Sequence, residues 1–168
     1  MATYIQIATV TVGAGGAANI DFSSIPSTYT DLLLKVSARS ANASVADNLL
    51  VAFNTSSSTF TVRRLIGNGS AANSYSGSTN YMSEAVANSA TSSTFSNQEL
   101  YIPNYAGSTN KSYSVDGVTE NNATTAYITL TAGLWATTSA INRITLTTET
   151  ASNFQQYSTA TLYGISKS

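Results

Sequence analysis

The sequence predicts an all-β fold, an antiparallel β-sandwich of jelly-roll-like type, on three observations. Apolar residues recur with period two in one run after another, the pattern of strands half-buried on one face. β-Branched residues fill those runs. Gly, Asn, Ser and Pro turn signals separate them at sandwich-like spacing, and no segment carries a sustained 3.6-residue apolar stripe. The absence of a fixed-period repeat weighs against a propeller or β-helix. At 168 residues the natural expectation is one domain, 1–168, long enough to bury a core.

The runs follow in order. Tyr4 to Val12 carries Ile5 and Ile7 on one parity and Val10 and Val12 on the other. A switch near Ala8-Thr9 calls for a bulge. Gly13-Ala14-Gly15-Gly16 is a turn; it lacks the lysine and following helix of a phosphate loop. Ile20 and Phe22 share one side of a short strand, which Pro26 ends by fixing its own φ and extending Ile25. From Asp31 to Arg39, Leu32, Leu34, Val36 and Ala38 alternate with Leu33, Lys35, Ser37 and Arg39. Leu49, Val51 and Phe53 repeat the pattern, and 54–58 reads as a hairpin loop. Phe60, Val62 and Arg64 share a parity with a wet face, opposite Thr61, Arg63 and Leu65.

Residues 67–94 form a long Gly/Ser/Asn-rich excursion punctuated by Tyr75, Tyr81 and Met82, with a short strand or helical turn at 81–86. Regular runs then resume. Glu99 to Ile102 ends at Pro103-Asn104, and Ser112 to Val118 alternates Tyr113, Val115 and Gly117 with polar residues. Tyr127 to Leu134 sets Ile128, Leu130 and Ala132 against Thr129 and Thr131. Ile144 and Leu146 oppose Thr145 and Thr147, and Thr159 to Ile165 closes the chain. The tally is eight to ten strands.

Composition narrows the chemistry. There is no histidine and no cysteine, and 51 of 168 residues are serine or threonine. Imidazole acid/base work, the His-dependent Ser and Cys nucleophile systems, and nearly every zinc or copper site are excluded. No disulfide framework exists, so redox compartment is unreadable. Seven Lys+Arg against eight Asp+Glu give a net charge of −1. No basic groove for nucleic acid can be assembled from so few cations. No apolar run approaches the ~20 residues of a membrane span, and the N-terminus has no signal-peptide pattern. The expectation is a soluble chain made in a cytoplasm.

Near-neutral charge weakens colloidal repulsion, and ten tyrosines with five phenylalanines supply amphipathic contact area. A chain that associates or docks follows. Tyr75, Tyr81, Tyr105 and Trp135 are the candidate contact residues. For Trp135, the only tryptophan, a core position is preferred. Nothing in the sequence brings two of the eight carboxylates together as a glycosidase pair. Asp116-Gly117 and Glu120-Asn121-Asn122 read as turns rather than calcium loops. No catalytic, cofactor-binding or metal residue is assigned, and no enzyme is expected.

Three stretches carry a resemblance. The segment 22–32 (FSSIPSTYTDL) resembles an opening common in virion proteins of tailed bacteriophages, 99–105 (ELYIPNY) resembles its central strand, and 157–165 (YSTATLYGI) its closing strand. The resemblance implies a virion component, either a capsid decoration (cement) protein or a head- or tail-fibre tip. A free-standing chain without shaft or coiled coil fits decoration better. Implied partners are the major capsid protein and further copies of the chain, as dimer or trimer. The implied location is the capsid surface. The alternative is a receptor-binding tip in which Tyr75, Tyr81 and their loop touch host glycans.

Overall fold

The computed structural model describes residues 2–123 and 125–166. Met1, Thr124, Lys167 and Ser168 lie outside them. Twelve strands are present among the described residues: β1 (Thr3–Thr11), β2 (Ile20–Phe22), β3 (Asp31–Ser37), β4 (Ala46–Phe53), β5 (Phe60–Gly67), β6 (Ala72–Gly77), β7 (Tyr81–Val86), β8 (Asn97–Pro103), β9 (Lys111–Val118), β10 (Ile128–Trp135), β11 (Ile144–Thr148) and β12 (Thr159–Ser166). They form two sheets. The eight-stranded sheet runs β1-β12-β3-β8-β9-β10-β5-β6, and the four-stranded sheet runs β2-β11-β4-β7. Every strand pairing is antiparallel.

The two inner faces share one core, as an all-β sandwich requires. Period-two alternation builds it. Leu32, Leu34 and Val36 of β3, Leu100 and Ile102 of β8, and Ala160 and Leu162 of β12 point inward from the large sheet. Leu49, Val51 and Phe53 of β4, with Ile144 and Leu146 of β11, meet them from the small one. Each full burial of such an aliphatic side chain contributes roughly 1.5–3 kcal/mol. The parity switch expected in the first run is a register shift between Gln6 and Ala8, where β1 pairs with β12.

Phe53 joins the small sheet to the far half of the large one. Its ring lies 5.6 Å from Phe60 of β5, 5.8 Å from Tyr113 of β9 and 5.6 Å from Trp135 of β10. Gly133 lets this cluster close. It is the cross-strand partner of Tyr113, and a Cβ there would sit 2.0 Å from the ring.

Five expectations are corrected. Within 67–94 the strand expected at 81–86 is β7, paired with β4, but 72–77, expected as irregular, is a further strand, β6, paired with β5. Backbone hydrogen bonds hold β6 with mostly small polar side chains, whereas β7 also buries Met82, Ala85 and Val86. Residues 54–58 make no hairpin; they carry the chain from β4 of the small sheet to β5 of the large one. Asn54 and Thr55 take left-handed φ of 51° and 66° there. The Asn54 amide donates to the Ala140 carbonyl at 2.8 Å, and its oxygen accepts from the Asn142 and Arg143 backbone at 2.9 and 3.2 Å. Asp116-Gly117 lies inside β9, not in a turn, because β7 crosses there: a Cβ on Gly117 would come 1.8 Å from Ser83 Oγ. The Phe60, Val62 and Arg64 parity is buried, not wet, since Arg64 is covered by β7. On β10 the expected sides are reversed: Thr129 and Thr131 face inward, while Ile128 and Leu130 face solvent. Each threonine follows the parity of its neighbour on β9, Gly117 and Val115.

Phe53→Ala leaves a cavity at the point where three other rings converge. It is expected to cost about 3–5 kcal/mol in urea unfolding, whereas Leu130→Ser, on the outer face, should change stability by less than about 0.5 kcal/mol.

Candidate functional site

The four candidate contact residues separate into two pairs. Tyr105 is 0% exposed and Trp135 is 2% exposed, so neither can meet a partner at the surface. Tyr105 turns under the sheet after β8. Its hydroxyl donates to the Pro26 carbonyl and accepts from the Tyr29 amide at 3.4 Å. Trp135 closes the aromatic cluster with Phe53 and Phe60, the core role preferred for so large a ring. Tyr105 is corrected from contact surface to core, and for Trp135 the preferred core position holds while its place among the candidate contact residues does not: hydrophobic area dominates the placement of large rings in a sandwich.

Tyr75 and Tyr81 come together. Their ring centroids lie 5.6 Å apart at 78°, an edge-to-face pair between β6 and β7. The Arg64 guanidinium sits 4.7 Å above the Tyr81 ring, donates to Asn48 Oδ1 at 3.1 Å and lies 3.6 Å from Glu84 Oε1. The Tyr81 hydroxyl donates to Glu149 Oε1, and Asn48 donates to Glu149 Oε2 at 2.8 Å. Four strands and the turn after β11 are thereby tied together.

Electrostatics inside this cluster follow from burial. Desolvation pushes the Glu84 carboxyl above the usual carboxylate range, and the Arg64 charge opposes it. Desolvation also pulls the Arg64 guanidinium down, against the attraction of Glu84. The hydrogen bond to Glu149, followed by burial and the Glu149 charge, raises Tyr81 to about 12. Glu84 and Glu149 thus share one neighbourhood, which nothing in their sequence positions signals. Their groups are engaged with Arg64, Asn48 and Tyr81. The cluster is a clamp between sheets: its tyrosine rings pack on each other, and Tyr81 also packs on Arg64.

The free surface lies on the other side, on the outer face of the eight-stranded sheet. One cross-strand row reads Tyr163, Leu33, Tyr101, Ser114, Ala132, Arg63, Ser76 from β12 to β6. The next reads Thr161, Lys35, Glu99, Asp116, Leu130, Leu65, Ser74. Leu65 and Leu130 are direct neighbours, 49% and 47% exposed, and Ile128 beside them is 54% exposed. With Arg63, Ser74, Ser114 and Ala132 the two leucines line a shallow groove of about 480 Å³. Toward the other edge Tyr4, Leu33 and Tyr163 flank the Lys35–Glu99 ion pair, 3.1 Å long and exposed. These two rows carry two cations, Lys35 and Arg63, and two anions, Glu99 and Asp116. Adjacent solvent-facing leucines with balanced, sparse charge suit contact with another protein surface.

Comparison with protein families, with characterised proteins and with solved structures finds no match to this chain.

The hydrogen bond from Tyr81 to Glu149 has a pH signature. A raised phenol means that the neutral form is favoured in the folded state, so its stabilisation is present below the ordinary tyrosine range and is lost as pH rises through about 12. In ¹³C-tyrosine NMR, Glu149→Gln is expected to move the Tyr81 titration back toward its ordinary value of 10.0. A Tyr81 midpoint that ignores the substitution contradicts the assignment.

Proposed function

We propose that this chain is a structural protein of a tailed-bacteriophage virion, a capsid decoration protein that binds the outside of the head and stabilises its lattice. The observation that carries the reading is the solvent-facing Leu65–Leu130–Ile128 patch on a broad, nearly neutral sheet face. Such a face adheres by burial, and each of these side chains, once covered, contributes on the order of 1–2 kcal/mol. Many copies on a repeating lattice sum that small term. The resemblance of 22–32, 99–105 and 157–165 to phage virion proteins points the same way.

The jelly-roll-like reading belongs with this proposal. The order β1-β12-β3-β8 opposite β2-β11-β4-β7 supports it. Successive strands β1 to β4 alternate between the sheets, as do β7 with β8 and β11 with β12. Two interlocked Greek keys produce that alternation. On this reading β5-β6 and β9-β10 are hairpins inserted into the roll, and they widen the large sheet on the side where the leucines lie.

The partners in this role are the major capsid protein and other copies of the chain, and the work is mechanical, with no catalytic step. Tyr81 favours decoration over a glycan-binding tip, since its ring lies under Arg64 and its hydroxyl is taken by Glu149, which leaves Tyr75, 39% exposed, as the one ring of the pair open to a sugar.

Immunogold labelling of particles that carry the chain is expected to mark heads, and Leu65→Glu with Leu130→Glu should cut retention on the particle at least about tenfold while circular dichroism is unchanged. Label confined to tails, or full retention of the double variant, overturns the proposal.

A further inference from the structure

Four strand edges are open to solvent in a pair of sheets, and each is a template for another chain unless something blunts it. Three of the four are blunted here. The β1 edge carries the register shift between Gln6 and Ala8. The β2 edge is three residues long. The β7 edge is irregular, with a register shift in its pairing to β4, and its Val86 carbonyl is taken by the Ser40 amide at 2.8 Å.

The β6 edge has none of these devices. Its six residues, Ala-Asn-Ser-Tyr-Ser-Gly, include no charge and no proline, and they pair with β5 without a register shift. All but Gly77 are exposed. Among the described residues, no backbone bond outside the β5 pairing involves any of residues 72–77. Such an edge in a chain with a net charge of −1 has little to repel a copy of itself.

We infer that β6 is a self-association edge: two copies of this chain pair β6 to β6 antiparallel about a two-fold axis, so that the large sheets of the two copies become one. The pairing is isologous and closes at the dimer. Opposite residues in an antiparallel pair point to the same side, so even positions must meet even positions. Two registers satisfy this near the centre of the strand. In one, Ser74 meets the second copy's Ser74. In the other, Tyr75 meets the second copy's Tyr75, and Ser74 meets the second copy's Ser76. Small side chains on the outer face let the backbones approach in either.

The nearest cations do not oppose this. Arg64 is buried and held by Asn48 and Glu84. Arg63 is one strand in from the edge, opposite Ser76, which leaves the two Arg63 side chains at least ~14 Å apart across the seam, beyond the screening length in physiological salt. The gain is a shared outer face. In the first register the Leu130–Leu65–Ser74 row of one copy runs through the seam into the same row of the other, and in the second it runs into the Ser76–Arg63 row; in both, the two leucine patches fall on one surface. A six-residue edge is small beside standard interfaces, so the dimer is weak, with a dissociation constant on the order of 10–100 μM. The inference rests on the strand edge alone and stands or falls separately from the virion proposal.

Sedimentation of the purified full chain from about 1 to 500 μM spans the expected constant. The average mass should rise from monomer to dimer, and Ser74→Lys with Ser76→Lys should weaken association at least about tenfold with an unchanged circular dichroism spectrum. The chain has no cysteine of its own, so introduced thiols report the seam directly. Antiparallel neighbours lie within disulfide range. Ser74→Cys alone should form a covalent dimer on oxidation in the first register, and an equal mixture of Ser74→Cys and Ser76→Cys should form one in the second. Thr9→Cys, exposed on the β1 edge, should form none. Monomeric mass across the range, association untouched by the two lysines, or crosslinking at Thr9 with none at β6, overturns the inference.

Discussion

The ring of Phe53 is the constraint on which the rest of the structure depends. It comes from the last position of β4, in the small sheet, and it touches Phe60, Tyr113 and Trp135 from three different strands of the large one. A four-stranded sheet faces only part of an eight-stranded one, so β9, β10 and β5 need an anchor of their own. The aromatic cluster supplies it. Edge-to-face packing adds about 0.5–1.5 kcal/mol per pair beyond simple burial, and the cluster holds several such pairs. Loss of the anchor would free the half of the sheet that carries the exposed leucines.

The Arg64 clamp acts beside that anchor by different physics. It joins the same half-sheet to β4 and β7 through charge and hydrogen bonds in a partly buried site. Removing one partner of a buried ion pair is costly because the other charge is left behind, so such a pair fixes geometry more than it adds stability. Apolar anchor and polar clamp together hold the extension rigid. Rigidity matters for an adhesive face, because surface that must first be ordered contributes less on binding. An outer face pre-formed by β10, β5 and β6 can put its leucines to work on contact.

How far the sequence could be read follows from the same physics. Strands with one dry face, such as β3, β4, β8 and β12, announce themselves by alternation, and their core residues were legible. β6 was not, because it is exposed on both faces and has no apolar parity to show. β7 was only half legible, because it buries Met82, Ser83, Ala85 and Val86 on both parities. On β10 the rule of apolar residues inward failed. The inner side is crowded by β7 and takes threonine, while Leu130 is left in water. That inversion is also why the exposed leucine face was missed: exposed leucines opposite buried threonines look like a core when read one strand at a time. Of the four candidate contact residues, Tyr75 and Tyr81 do meet, but Tyr105 and Trp135 were drawn inward by their size.

As a decoration protein, the chain would work through the outer face of its large sheet. A cryo-electron microscopy map of the particle, detailed enough to orient the sandwich, tests it most directly. Density is expected on the head with the Leu65 and Leu130 side of the eight-stranded sheet against the capsid. Density on the head with the four-stranded sheet inward and the leucines in solvent, or density on the tail alone, would contradict it.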